Sequence, residues 1–305
     1  MPDRQLPFSI IVPTYNRPGQ LSACVAALAR LDYPRDQFEV IIVDDGSAQL
    51  PDAGIASFRD RLNLKVLRQA NAGPGAARNR GANRARGRIL AFTDDDCTPH
   101  ADWLRKLEVR YASAPDPVII GGTVLNALPD NRYARASQLI VDVGYAYHNS
   151  DPDRARFFTA NNLALPADHF HELGGFDVTF GTTASEDREL CGRWQHRGYR
   201  MIYAPEVVVD HAHTLTWRTF CRQHFNYGRG AVRLQQARVR QGWQLFSPDP
   251  HYYRILLQAP FTRLPFSQAV SMDAVLFTSQ AITLVGMVSE GIRCRGRKLF
   301  CAVEG

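Results

Sequence analysis

Apolar runs and helical segments alternate along the first hundred residues, and that alternation leaves the chain few folds to choose from. Phe8-Ser-Ile-Ile-Val12 is a short apolar run ended by Pro13. A second run covers Phe38–Val43, a third Leu64–Leu67 and a fourth Arg88–Phe92. Each has the length of a buried strand. Between the first two, Pro18-Gly19 opens a helix with Leu21, Val25, Leu28 and Leu31 at helical spacing, closed by Asp32-Tyr-Pro34. Between the third and fourth, Ala70–Arg80 reads as a glycine turn leading into a helix. Strands alternating with helices at this spacing predict an α/β fold, Rossmann-like, with a mostly parallel central sheet flanked by helices. In such sheets ligands bind at the carboxyl ends of the strands.

The remainder is more mixed. Residues 101–215 carry a helical pattern near Ala101–Ser113, a strand near Val118–Gly121 and the turn Gly174-Gly-Phe-Asp177. A helix over about Glu186–Arg197 and a strand near Met201–Tyr203 follow. From 216 the chain turns helical and basic. Residues 1–215 hold 24 basic and 26 acidic side chains, a net of −2, whereas residues 216–305 hold 12 and 4, a net of +8. The expected organisation is therefore a 1–215 domain, with halves at about 1–100 and 101–215, and a basic helical C-terminal extension over 216–305. The 305 residues, 45% apolar and 22% charged, exclude a disordered or fibrous chain. The cysteines at 24, 97, 191, 221, 294 and 301 form no metal-type pair and read as reduced thiols. Met1–Gln5 has no apolar leader core, which places the expected location in the cytoplasm.

Two of the strand-like runs end in carboxylates. Asp94-Asp95-Asp96 follows the fourth. Three adjacent carboxylates at the end of a buried strand repel one another unless a cation sits among them, and hard ions such as Mg²⁺ or Mn²⁺ take oxygen ligands. A solvated acidic turn is the plain alternative. Asp44-Asp45-Gly46-Ser47 follows the second run and suits either a turn or a hydrogen bond to a nucleotide base. Gly73–Arg80 places glycines and Arg78 at a helix start, where a phosphate or an ordinary cap fits. Ser185-Glu186-Asp187 starts a helix, with Ser185 as a candidate N-cap and Glu186 or Asp187 as a candidate general base. His211 and His213 share one face of an extended segment.

Taken in order, these pieces resemble bacterial family-2 glycosyltransferases, which have the GT-A fold. The resemblance covers about residues 6–230. It runs through Ile11-Val-Pro-Thr-Tyr-Asn-Arg17, Val43-Asp-Asp-Gly-Ser47, Asn71–Asn79, Phe92-Thr-Asp-Asp-Asp96, Asn161-Asn162, Gly174–Asp177 and Glu186-Asp187. It implies a metal-dependent, inverting, non-processive enzyme that uses a nucleotide-diphospho-sugar, with UDP favoured by family habit. Pro13, Thr14, Tyr15 and Arg17 would line the nucleotide pocket, Asp45 with Asp44 would meet the base, and Arg78 would lie near the diphosphate. Asp94 and Asp96 would be the DxD pair, flanking Asp95. Asp96 would hold Mn²⁺ or Mg²⁺, with Asp94 on the ribose or metal and His211 close by. Asp187 would be the base, Glu186 its helper, and Asn162 and Asp177 acceptor-side residues. The Gln-x-x-Arg-Trp element of processive synthases is absent. Arg222–Gly230 matches a segment of non-processive relatives without an assigned role.

A dinucleotide oxidoreductase should carry GxGxxG after the first strand, where this chain has Pro-Thr-Tyr-Asn-Arg-Pro-Gly. A sugar nucleotidyltransferase and a non-catalytic nucleotide-sugar-binding relative are the alternative readings. Interleaved aromatics on a nucleic-acid-binding fold are missing, so no nucleic-acid partner is expected. The stretch Ala274–Val288 is shorter than the roughly 20 apolar residues of a bilayer span. It reads as a core or interfacial helix, and Arg293–Lys298 behind it suits anionic headgroups. The expected partners are therefore a nucleotide-sugar donor, a glycan, lipid-linked or small-molecule acceptor, and the inner face of the cytoplasmic membrane.

Overall fold

The structure, a computed structural model, describes residues 6–49, 52–114, 117–245, 247 and 249–301. Met1–Gln5, which carried the expectation about the N-terminus, lie outside the described residues, as do the side chains of Gly296–Lys298 in the basic run. The chain forms two compact units. The first takes the chain up to Ala127, His148–Gly181 and Leu190–His213. The second takes Leu128–Tyr147, Thr182–Glu189 and the chain from Thr214 onward.

The first unit is built on one sheet. Its strands are β1 (Leu6–Thr14), β2 (Phe38–Asp44), β3 (Leu64–Arg68), β4 (Gly87–Phe92), β5 (Cys97–Pro99), β6 (Val118–Asn126), β7 (Leu163–Pro166) and β8 (Arg200–His211). Its helices are α1 (Pro18–Leu28), the single turn α2 (Asp52–Ile55), α3 (Pro74–Ala82) and α4 (Trp103–Ser113). The strand order is β3-β2-β1-β4-β7-β6-β8-β5. β1 to β4 pair in parallel, as the alternating pattern predicts, whereas β7 runs antiparallel to β4 and β6, and β5 antiparallel to β8. Every residue of β2 is buried, because helices cover both faces. Val40 and Ile42 join Ile10, Val12 and α1 in one core, while Ile41 and Val43 pack with Ala77 of α3 on the other face.

Three sequence expectations change. Pro13 does not end β1, because it falls after the last β1–β4 pair, Ile11↔Phe92, where its missing N–H is not needed. α1 stops at Leu28, three residues before Leu31. The strand expected near Met201–Tyr203 runs on to His211, because Pro205 sits in a bulge between the pairs Gly122↔Ala204 and Thr123↔Val208. That bulge explains Asn162, whose Nδ2 donates to the freed carbonyls of Thr123 and Val207, both at 2.9 Å. A Cβ at Gly122 would lie 2.0 Å from the Val207 oxygen, so only glycine fits there.

A buried carboxylate ties the lower end of this sheet. Ser9 Oγ and the Arg86 N–H donate to Glu39 Oε1, and Lys65 Nζ lies 2.8 Å from Oε2. Burial alone would raise the Glu39 carboxyl, but Lys65, Ser9 and the Arg86 N–H outweigh it and hold it below the usual carboxylate range. A lowered folded value stabilises the fold above the unfolded value, about 4.3, and that contribution is lost as pH falls through the folded value. Tm should therefore hold from neutral pH to about pH 5 and then drop, and Glu39→Gln should flatten that drop while costing about 2 kcal/mol at pH 7. Acid melts of both proteins check this.

The second unit is helical. It contains α5 (Arg132–His148) up to Tyr147, the start of α7 (Glu186–His196), α8 (Trp217–Arg240), α9 (Pro250–Arg263) and α10 (Phe266–Cys301). The sixth helix, α6 (Ala167–Glu172), belongs to the first unit. Leu139, Val143, Phe220, Leu256 and Leu276 share the core of the second unit. α10 has 36 residues, so the apolar stretch Ala274–Val288 is only its middle. Among the described residues, Phe266–Arg295 is the one helix long and apolar enough, by length and composition, to cross a membrane.

Candidate active site

Strand order reverses between β1 and β4. The chain passes from β1 through α1 to β2 on one side, then returns through α3 to β4 on the other. At such a switch point the two carboxyl ends diverge and leave a crevice. The loops there are Thr14–Arg17 after β1 and Thr93–Asp96 after β4. They are joined directly. Thr14 Oγ1 donates to Asp95 Oδ2 at 2.7 Å, and Arg17 Nη1 reaches Asp95 Oδ1 at 3.2 Å and Asp96 Oδ2 at 2.9 Å. Asp95 and Asp96 are only 4% and 8% exposed, which removes the solvated-turn reading.

The short antiparallel pairing of β5 with β8 completes the cluster. It sets Cys97 opposite His211, and the Ala212 N–H donates to the Asp96 carbonyl at 2.8 Å. His211 Nε2 thereby comes 3.2 Å from Asp96 Oδ1. Burial alone would raise the Asp96 carboxyl, but the His211 hydrogen bond and charge, with Arg17, bring it down to about 2. Burial alone would lower His211, but Asp96 raises it. Burial, then the charge of His211, pushes His213 down to about 4, and the two rings stack at 4.9 Å. Burial leads the opposite shift at Asp95, up to about 6, with Asp96 adding to it against Arg17.

Asp96, Cys97 and His211 offer ligand atoms within 4.8 Å of one another. The carboxylate and imidazole suit Mn²⁺ or Mg²⁺. Cys97 does not, because burial and the charges of Asp94 and Asp96 keep its thiol protonated.

The glycine-rich motif is tied to the turn after β2. Asp45 Oδ1 accepts from Gln69 Nε2 at 2.7 Å and the Ala72 N–H at 2.9 Å, and Oδ2 accepts from the Gly73 N–H at 2.9 Å. Asp44 Oδ1 caps the turn at the Ser47 N–H. Arg78, 4% exposed, pairs with Asp94 at 2.7 Å and lies over the Phe176 ring at 5.5 Å. Asn79 exchanges two 2.8 Å bonds with the backbone of Phe176, which clamps the Gly174–Asp177 turn onto α3. A Cβ at Gly175, whose φ is +71°, would lie 2.5 Å from Asn79 Oδ1. Asn79 has no role assigned from sequence, although it closes the Asn71–Asn79 motif, which was the available signal.

Tyr15 is 47% exposed and Pro13 is buried within β1, so the ring is open to a ligand and the proline shapes the strand end. Asp177 caps a short turn by accepting from the Thr179 N–H. Asn162 is 1% exposed, accepts from Trp103 Nε1 at 2.9 Å and donates to the two bulge carbonyls, so its side chain is committed to the frame.

Glu186 and Asp187 open α7 in the second unit. Glu186 is buried and Asp187 half-buried. The preceding Ser185 has φ +87°, outside the extended range of an ordinary N-cap. It and Asn16, at φ +55°, are the non-glycine residues of positive φ among those described, and each lies beside an expected site residue. The unassigned Arg222–Gly230 segment holds this start in place. A Cβ at Gly230 would lie 2.1 Å from the Ala184 oxygen. Tyr227, already raised by burial, is raised further by the charges of Asp187 and Glu186.

The family model described as glycosyl transferase family 2 matches residues 9–176. Glycosyltransferase AglE of Haloferax volcanii is 26% identical over 268 residues, covering 81% of this chain and 84% of its own. The fold superimposes on mannosyltransferase PcManGT from Pyrobaculum calidifontis, solved with GDP-Man and Mn²⁺, with a TM-score of 0.67 at 20% identity, over 95% of this chain and 88% of that one. TarS 1–349 of S. aureus, solved with UDP-GlcNAc, gives a TM-score of 0.56 at 18% identity, over 95% and 92%. The architecture is that of GT-A glycosyltransferases.

Proposed function

The chain belongs to glycosyl transferase family 2 and is a glycosyltransferase, and from that premise we propose that it moves a sugar from a UDP-sugar to an acceptor hydroxyl with inversion. The observation that carries this reading is the Asp94–Asp96 turn at the β1/β4 switch point, with Asp95 and Asp96 buried and His211 drawn onto Asp96 by the β5–β8 pairing. Thr14, Tyr15, Arg17 and Asp45 line the nucleotide side, and Arg78 holds Asp94 in place. Asp96 and His211, with Asp94, would hold Mn²⁺ or Mg²⁺. When bound, the ion neutralises the diphosphate and makes it a competent leaving group.

Asp187 accepts the acceptor hydroxyl's proton as that oxygen attacks the anomeric carbon. The bond from that carbon to the β-phosphate oxygen breaks, and the nucleoside diphosphate leaves. A single in-line displacement turns an α-linked donor into a β-linked product. Asp177 stays a candidate on the acceptor side. The acceptor class is a glycan, a lipid-linked glycan or a small molecule in surface or extracellular glycan assembly. Peripheral attachment to the inner face of the cytoplasmic membrane is supported by the basic surplus after residue 215 and the apolar α10.

The test is a thermal-shift panel of UDP- and GDP-sugars with and without Mn²⁺. A UDP-sugar at a hundredfold excess over Kd should raise Tm by about 5 °C only when Mn²⁺ is present. A GDP-sugar doing so instead would reassign the base. No metal-dependent shift from any donor would overturn the reading.

A further inference from the structure

The second unit carries an apolar surface that sugar transfer does not use. On the outer side of α10, Phe266, Val270, Phe277, Leu284, Val288 and Ile292 recur at intervals of four and seven residues and are 48–77% exposed. Those intervals lay them along one face of the helix. No exposed residue of α10 between Phe266 and Ile292 is charged. α9 continues the surface with Leu257 and Phe261, whose ring lies 6.1 Å from that of Phe266. So long an exposed apolar strip marks an interaction site.

An open cleft of about 290 Å³ adjoins the strip, lined by Arg132 and Arg135 of α5 and by Ser267, Gln268 and Ser271 of α10. Neither arginine is in an ion pair among the described residues. Two guanidinium groups with hydroxyl and amide donors beside an apolar strip match the chemistry of a lipid: a phosphate joined to acyl chains. Arg254 and Arg263 of α9 and Arg293 and Arg295 of α10 are also exposed, Arg263 in an ion pair with Asp142.

The opposite side of α10 decides how it can meet a bilayer. A Cβ at Gly286 would lie 2.1 Å from the Phe225 oxygen, and one at Gly228 would lie 1.9 Å from the Thr283 oxygen, so α8 and α10 touch backbone to backbone. Buried Glu290 of α10 then meets Arg229 and Arg233 of α8, each at 2.8 Å. A spanning α10 would drag these charges and the rest of basic α8 into hydrocarbon. A symmetric contact between two copies would bring the arginine-rich margins together.

Building on the peripheral attachment read above, we propose that the α9–α10 face lies flat in the interface of an anionic bilayer, with the Arg132–Arg135 cleft taking a lipid phosphate. The test is sedimentation of the full-length protein with vesicles of phosphatidylcholine alone or with about 30% phosphatidylglycerol. Wild type should prefer the anionic vesicles at least about tenfold, less so at high salt, and be released by alkaline carbonate. Phe277→Glu with Leu284→Glu should lose at least about tenfold of that binding. Arg132→Gln with Arg135→Gln should lose most of the anionic preference. Phe277, Leu284 and Arg132 are exposed and Arg135 is half-buried, so both pairs should keep the wild-type Tm and donor-induced Tm shift, which separates this surface from the transferase reading.

Vesicle binding untouched by either pair would overturn this face while leaving peripheral attachment standing. Binding to neither vesicle would remove both. Resistance to carbonate would mean a span, and a dimer abolished by Leu284→Glu without any vesicle binding would mean a second copy.

Discussion

Asp96→Asn is expected to lower kcat/KM by about 10³-fold or more and to erase the Mn²⁺-dependent thermal shift by donor. The argument is local. Asp96 is the carboxylate on which the proposed metal ligands and the ion pairs of the turn converge. Its Oδ1 faces His211 and its Oδ2 faces Arg17. Asparagine keeps the shape and can still accept from Arg17, so the β4–β5 turn should survive. What it removes is the negative charge on which a hard cation depends. Asp95→Asn is the matched control. Its oxygens are engaged by Thr14 and Arg17, so its loss should loosen the β1 loop and lower stability with a smaller effect on metal dependence. Isothermal titration of Mn²⁺ with a UDP-sugar distinguishes the two. A retained Mn²⁺ requirement in Asp96→Asn would move the metal away from this residue.

Asp187→Asn is expected to cut transfer by about 10³-fold while leaving donor affinity and the donor-induced Tm shift as in wild type. An amide cannot accept the proton of the attacking hydroxyl at neutral pH. The surroundings of α7 make a companion variant informative. Gly230→Ala keeps the carboxylate but sets a methyl 2.1 Å from the Ala184 oxygen, which must move, and strained Ser185 with it. Its kcat should fall by about tenfold with donor binding unchanged, the pattern of a misplaced base. If Asp187→Asn still transfers sugar while Glu186→Gln does not, the base is the neighbouring carboxylate.

Much of the first unit was legible because its determinants are local. Buried parallel strands must be continuous apolar runs, so β1 to β4 stand out, and the carboxylates at their ends stand out against that background. β7 was not legible, since Leu163–Pro166 is too short to show a period. The full length of β8 was hidden by Pro205, which reads as a break until the bulge and Asn162 accommodate it. The motif marks Asn162 as an acceptor-side candidate, but a polar residue type does not record that Trp103, Thr123 and Val207 bond its side chain. The extent of α10 was missed for another reason: Phe266–Asp273 is too polar to join an apolar run, although it continues the helix.

The sequence by itself determined the alternating α/β framework, the acidic turn after β4, the carboxylate pair at the start of α7 and the basic helical end, because each is written in consecutive residues. Only the tertiary structure decided which of these residues act together. The β5–β8 pairing brings His211 to Asp96, Arg17 bridges two carboxylates after another strand, and Asn79 ties α3 to a distant turn. Such contacts join chain segments far apart in sequence. Their energy comes from burial and from satisfying buried polar atoms, and no local pattern of residue types records that.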